Sequence, residues 1–269
     1  MSYILVIDSG LGGLTVSRAI SSKIPAVNQI YVADTAGFPY GSRSEDFVIE
    51  RVESITKSVM NRFDIKLIVV ACNTASTIVL PQLREQIKLP VVGVVPAIKP
   101  AAGQTKLPTF GILATPQTIV RAYTDQLIAD HAAAKKVIRV GSQRLVEIAE
   151  ASLCGGEVDH DELRKICSPF FDGSKRLVDT VVLGCTHFPL LKEDLQKAVS
   201  RKIKWIDSGQ AIAQRVFNLL VDGRIDPGLA QRYTVFFSTK NIDQKLKSKL
   251  SEEAWTRFET LSLADSAHY

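Results

Sequence analysis

Along this chain, short apolar runs rich in valine and isoleucine recur at residues 3–7, 29–33, 67–71, 91–95, 109–113, 136–140, 180–183 and 204–206. Most do not alternate with polar residues, which predicts parallel strands covered on both faces. Helical patterns lie between them. In residues 45–63 the apolar positions Val48, Val52, Ile55, Val59 and Phe63 fall at spacings of three and four, and Ser42 with Glu45 has the look of a capping box. Strands alternating with helices predict an α/β fold with mainly parallel sheets, in which ligands bind beyond the carboxyl ends of the strands.

Four of those ends are polar in a distinctive way. ILVIDSG ends at Asp8 and Ser9, IYVAD at Asp34, LIVVACNT at Cys72, Asn73 and Thr74, and TVVLGCTH at Cys185, Thr186 and His187. Helix capping explains Asp, Ser, Asn and Thr where a strand turns into a helix, but cysteine is a poor cap. An internal echo adds to this: IVVACNT and VVLGCTH align on their cysteines, and IDSG occurs at 7–10 and again at 206–209. The chain reads as two related α/β lobes, each carrying one strand-end thiol on the wall of a shared cleft.

Composition narrows the chemistry. A chain of 269 residues, 46% of them hydrophobic, can bury a large core. No run reaches the roughly 18 consecutive apolar residues of a membrane helix, and no basic flank precedes the first apolar segment, so a cytoplasmic protein is expected. The net charge of +5, from 33 basic and 28 acidic residues, is spread along the chain; it argues for no nucleic-acid partner and suits a small anionic substrate. The four cysteines lack the close spacing of metal sites or disulfide frameworks, so reduced thiols are the default, and Cys154 and Cys167 read as structural. Gly10, Gly12 and Gly13 followed by Asp34 echo a dinucleotide-binding fingerprint. Thr15 stands where its third glycine belongs, and Asp8 would set a carboxylate where pyrophosphate should sit. Lys99 is the nearest candidate for a pyridoxal Schiff base and has no recognisable phosphate cup around it. A small-molecule binding protein with passive cysteines is the non-catalytic alternative.

Thiolate is the active form of cysteine and is favoured at helix N-termini and beside cationic groups. Both strand-end cysteines precede a predicted helix, and Cys185 has His187 two residues on, so each could serve as a base near neutral pH. Two thiols flanking one carbon could take a proton from one face and deliver one to the other, inverting the centre without a cofactor.

The motifs DSGLGGLTV, YVADTAGFPYG, VVACNTAS, GVVPAIKPA, GILATPQT and VLGCTHFPLL stand in the order of a known family. Through most of its length the chain resembles the glutamate racemases of the aspartate/glutamate racemase superfamily, cofactor-independent enzymes that supply D-glutamate for peptidoglycan. That resemblance implies Cys72 and Cys185 as the acid/base pair, Cys72 facing the proton of D-glutamate and Cys185 that of L-glutamate. Asp8 and His187 would assist them, as ammonium partner or orienter. Asp8, Ser9, Tyr40, Gly41, Asn73, Thr74, Thr186 and His187 would bind substrate, and Thr115 and Thr118 could add hydroxyls or merely cap a loop. Aspartate and hydantoin racemases would share the fold and both thiols. The family fold also implies a discontinuous first lobe, 1–97 with 207–269, around a second lobe of 98–206. A homodimer is expected, as is the absence of an activator-binding N-terminal extension, since the first strand starts at Tyr3. The tail segment KLKSKLSEEAW reads as a solvated helix.

Overall fold

The computed structural model describes residues 1–172, 175–199, 201–223 and 234–263. In chain order the strands are β1 (Ser2–Asp8), β2 (Gln29–Ala33), β3 (Asp64–Val70), β4 (Val91–Gly93), β5 (Thr109–Ala114), β6 (Lys136–Gly141), β7 (Phe171–Asp172), β8 (Lys175–Arg176), β9 (Thr180–Leu183), β10 (Lys204–Ile206), β11 (Thr234–Ser238) and β12 (Arg257–Thr260). The helices are α1 (Leu14–Lys23), α2 (Glu45–Met60), α3 (Asn73–Gln86), α4 (Ile98–Gln104), α5 (Pro116–Val120), α6 (Ala122–Ala132), α7 (Arg144–Leu153), α8 (His160–Cys167), α9 (Lys192–Ala198), α10 (Gly209–Asp222) and α11 (Gln244–Glu252).

Two parallel sheets organise the chain. One has the order β12-β11-β2-β1-β3-β4 and the other β10-β9-β5-β6; β7 and β8 form a separate antiparallel pair. The non-alternating apolar runs have the expected cause. Ile4 and Val6 of β1 join the core on one face of the larger sheet, and Leu5 and Ile7 join the core on the other. In the smaller sheet Val181 and Leu183 of β9 face one core and Val182 the opposite one. Each fully buried aliphatic side chain of this kind stabilises the fold by about 1.5–3 kcal/mol.

Register then brings the chemistry to one edge of each sheet. Asp8 pairs with Ala33, and Ile7 with Val70, so Asp8, Asp34 and Cys72 all emerge at the same end. In the smaller sheet Leu113 pairs with Leu183 and Ala114 with Gly141, which brings Thr115, Ser142 and Gly184 to a common edge. No described helix is long and apolar enough to cross a membrane.

Some sequence expectations need correction. Ser44, not Ser42, caps α2, its hydroxyl accepting from Phe47 N–H at 3.3 Å; the Ser42 hydroxyl instead donates to the Pro39 carbonyl at 3.1 Å. The tail does form a helix, α11, but Leu246 and Leu250 are buried in the core of the larger sheet, so it is amphipathic rather than solvated all round. Strands β11 and β12 complete that sheet without a clear sequence signal. The apolar stretch of β11 is very short, and the edge strand β12 is only half-buried and carries charges.

Candidate active site

Beyond these aligned strand ends lies a cavity of about 320 Å³ between the two sheets. Ser9, Tyr40, Gly41, Cys72, Asn73, Thr74, Cys185, Thr186 and His187 line it, so nine of the residues singled out from sequence meet at one place. Thr115 and Thr118 line it as well, and Thr115 also caps α5 by accepting from Thr118 N–H at 3.4 Å. Pro39, Gln143, Val146 and Gly184 complete the wall. A larger depression lies elsewhere, lined by polar and charged residues such as Lys106, Asp179, Glu193 and Lys197 together with Ile203 and Trp205, and holds none of these groups.

Cys72 caps the N-terminus of α3 and is buried. Ser9 Oγ donates to its sulfur at 3.9 Å, and the Ala75 N–H points at it from the helix. Helix position alone favours a thiolate, yet here burial dominates and the nearby Asp8 carboxylate adds to it, so the thiol is pushed up to about 12. Cys72 therefore rests as a thiol, the form that could deliver rather than take a proton.

The surroundings of Cys185 differ. Its sulfur lies 3.7 Å from His187 Nδ1, and His187 Nε2 lies 2.7 Å from Glu150 Oε1. Burial on its own would lower the His187 pKa, but the hydrogen bonds to Cys185 and Glu150 outweigh it and hold the imidazole well above its ordinary value. That direction favours the imidazolium, in which Nε2 donates to the carboxylate and Nδ1 to the sulfur. Gly12 N–H also points at Nε2, at 3.2 Å. The shorter carboxylate contact and the raised pKa assign the Nε2 proton to Glu150. Leu11 N–H donates to the same Glu150 oxygen at 2.6 Å and fixes its position.

These contacts give the glycine-rich segment after β1 its meaning. A Cβ on Gly12 would stand 2.4 Å from His187 Nδ1, and one on Gly10 would stand 2.2 Å from Glu150 Oε1. The glycines admit an imidazole and a carboxylate against the backbone rather than a pyrophosphate. Asp34 has no free oxygen for a ribose either: it accepts from Tyr40 Oη at 2.7 Å, Thr239 Oγ1 at 2.8 Å and the guanidinium of Arg51. Burial would raise its carboxyl, but these bonds prevail and hold it below the usual range, and they fix Tyr40 beside the cavity. Lys99 is exposed on α4, away from the cavity wall.

Asp8 lies behind the wall rather than on it. Its Oδ2 accepts from Gly10 and Gly13 N–H at 3.2 and 3.0 Å, and Thr186 Oγ1 donates to Oδ1 at 3.4 Å. Burial raises its carboxyl above the ordinary range, although the His187 charge and the two N–H groups pull the other way. Asp8 thus holds the turn before α1 rather than capping that helix, whose N-cap is Gly13. The second IDSG lines an adjoining pocket that shares Asn73, Cys185 and Thr186 with this cavity; there Asp207 accepts from Gly209 N–H at 2.9 Å, and Ser208 Oγ donates to the Val95 carbonyl at 2.5 Å. Cys167 is a small buried hydrophobe as expected, whereas Cys154 is exposed at the end of α7.

Glu150 is the member of this hydrogen-bonded cluster that the sequence concealed. It sits on α7 in the unremarkable stretch VEIAEASL, and only the packing of α7 against the 3-10 turn Phe188–Leu191 brings it to His187. Gln143, just before α7, is likewise without a sequence signal.

Two parallel sheets that each bring a thiol to one cavity accord with an enzyme of the amino-acid racemase class. The chain belongs to the Asp/Glu/Hydantoin racemase family, whose model matches residues 4–216. It is 47% identical over 243 residues to a glutamate racemase of Aliivibrio fischeri, covering 90% of each chain. Escherichia coli glutamate racemase, solved with L-glutamate and the activator UDP-MurNAc-Ala, superposes with a TM-score of 0.92 at 43% identity, over 98% of this chain and 99% of that one. The Francisella tularensis glutamate racemase, solved with D-glutamate, gives 0.81 at 27% identity over 98% of both chains.

Proposed function

We propose that this protein interconverts L- and D-glutamate by transferring protons between Cys72 and Cys185, and that it supplies D-glutamate for peptidoglycan in the cytoplasm. The observation that carries the reading is the meeting of two buried thiols from different sheets in one cavity whose other groups are hydroxyls, amides and one histidine. For L-glutamate, the Cys185 thiolate takes the α-proton while Cys72, resting as a thiol, delivers a proton to the opposite face. The product complex then holds a Cys185 thiol and a Cys72 thiolate, and the return reaction runs the same steps backwards. His187 donates a hydrogen bond to Cys185 and, through Glu150, is held in the orientation that proton transfer needs. Neutral donors suit the substrate carboxylates, and the buried, unpartnered Asn73 Oδ1 suits the ammonium.

The division into a lobe of 1–97 with 207–269 and a lobe of 98–206 belongs to the same proposal. It is supported by sheet membership: β1 to β4, β11 and β12 fall in one sheet, and β5, β6, β9 and β10 in the other.

Incubation of the purified protein with L-glutamate in D2O, without added cofactor, is expected to give D-glutamate deuterated at the α-carbon. Absence of both racemisation and exchange would sink the reading. Cys72→Ala and Cys185→Ala should each abolish racemisation, and full activity in either would overturn the two-thiol mechanism. Expression in a D-glutamate auxotroph should restore growth if the cellular role is right.

A further inference from the structure

We propose that Gln143 grips the distal carboxylate of the substrate and thereby helps set the length of amino acid the site accepts. The proposal rests on the glutamate reading above. Glutamate brings a second carboxylate that must be desolvated in the cavity, yet no lysine or arginine lines it. Neutral N–H and O–H donors therefore have to hold that charge, and a carboxylate buried without them would cost far more than a hydrogen bond returns.

Most candidate donors are already engaged. The Tyr40 hydroxyl donates to Asp34 at 2.7 Å, and the Thr115 and Thr118 hydroxyls share a hydrogen bond of 2.9 Å that leaves only one of their two protons free. Gln143 differs, for its Nε2 is a buried donor without a partner. Its placement is firm. Ser142 N–H donates to the Ala114 carbonyl at 2.9 Å, and Ser142 Oγ accepts from Leu145 N–H at 3.1 Å, which locks the turn from β6 into α7. The Gln143 amide faces Gly41 so closely that a Cβ there would stand 3.1 Å from Oε1 and 3.8 Å from Thr115 Cβ. Gly41, Thr115 and Gln143 thus stand together on the cavity wall. Ser9 contacts Cys72, and His187 contacts Cys185, on the same wall.

The lining also offers both chemical senses. The cavity's two unpartnered amide atoms are an acceptor, Asn73 Oδ1, and a donor, Gln143 Nε2. An acceptor suits the ammonium next to the reacting carbon, and a donor suits the far carboxylate. A site that pairs a buried donor with the distal group disfavours shorter amino acids, whose carboxylate cannot reach and which leave the donor unpaired.

The test compares the wild type with Q143A, Q143N and Q143E, following racemisation of both glutamate enantiomers and competitive inhibition by glutarate. A contact made equally in ground and transition states raises KM and leaves kcat alone. For Q143A, KM is expected to rise about tenfold, equivalent to ~1.4 kcal/mol, with kcat within about twofold and glutarate inhibition weakened by the same factor. Q143E, which sets a carboxylate against a carboxylate, should bind more weakly still, and Q143N should fall between wild type and Q143A. Unchanged KM and glutarate inhibition in all three variants would overturn the proposal alone, as would a fall in kcat at constant KM. A wild-type protein unable to racemise glutamate would overturn this proposal together with the reading it rests on.

Discussion

His187 Nε2 lies 2.7 Å from Glu150 Oε1, while the other nitrogen of the same ring lies 3.7 Å from Cys185 Sγ. One buried imidazole thus links a carboxylate of α7 to the cavity thiol that follows strand β9, and its orientation depends on a residue outside the cavity lining.

Replacing Glu150 by Gln should therefore act through His187. General acid–base groups contribute about 10²–10⁴ in rate, and losing the group that orients one should lower kcat on the order of tenfold to a hundredfold, with KM little changed. Glu150 is among the causes that raise the imidazole pKa. Without its charge the imidazolium is lost at lower pH, so the alkaline limb of the rate profile should move toward acid. The enantiomers have equal free energies, so kcat/KM must fall by the same factor in both directions. An unmoved alkaline limb would show that the carboxylate only packs.

Gly12→Ala should be more damaging than its size suggests. The added Cβ would stand 2.4 Å from His187 Nδ1 and 2.7 Å from Cε1. The ring is buried and packs beside Phe38 at a centroid distance of 5.8 Å, so it has no easy retreat. Overpacking of this kind costs about 1–3 kcal/mol. A lower melting temperature and a drop in kcat of about tenfold or more are expected together. Wild-type kinetics in this variant would mean that the imidazole is free to move.

Cys72 titrates late, at about 12, because it is buried and faces the Asp8 charge. Well below that value the thiolate fraction rises tenfold for each pH unit, and only the thiolate reacts with alkylating agents. Alkylation of Cys72 by iodoacetamide should be slow at pH 8 and accelerate close to tenfold per unit up to pH 10, as followed by peptide mass spectrometry. Asp8→Asn should speed it at fixed pH. A plateau near pH 8 would contradict the thiol resting state.

Much of this was legible in the residues themselves. Both cysteines announce themselves because a thiol is a poor cap at a strand end, and the parallel-sheet plan follows from apolar runs that do not alternate. The position of Glu150 is a tertiary event. Its helix shows only an amphipathic period, and neither spacing nor composition says that the far end of α7 reaches His187. Electrostatic state is hidden in the same way: helix position predicts a ready thiolate at Cys72, and only the packing of Asp8 and the surrounding core reverses it. Gly10 and Gly12 show the opposite case. Their pattern is visible, but the structure exchanges its meaning from phosphate contact to the close approach of two side chains.

Asp8 holds a charge where the fold would rather have none. Burial raises its folded-state carboxyl pKa above the ordinary value. For a carboxyl shifted upward, the folded protein binds the proton more tightly than the unfolded chain, so stability is lost as pH rises through the interval between the two values. The penalty grows as pH rises above the unfolded carboxyl range, and below that range it vanishes. Asp8→Asn removes the charge and keeps the geometry, since its carbonyl can accept from Gly10 and Gly13 N–H and its amide can donate to the Thr186 hydroxyl. The variant should melt at least 2 °C above wild type at pH 8, on a scale where ~1 kcal/mol moves Tm by about 2–4 °C. The gain should shrink as pH falls toward 4, while racemisation drops sharply throughout. A lower Tm at pH 8 would mean that the carboxylate stabilises the turn after β1 by more than its burial costs.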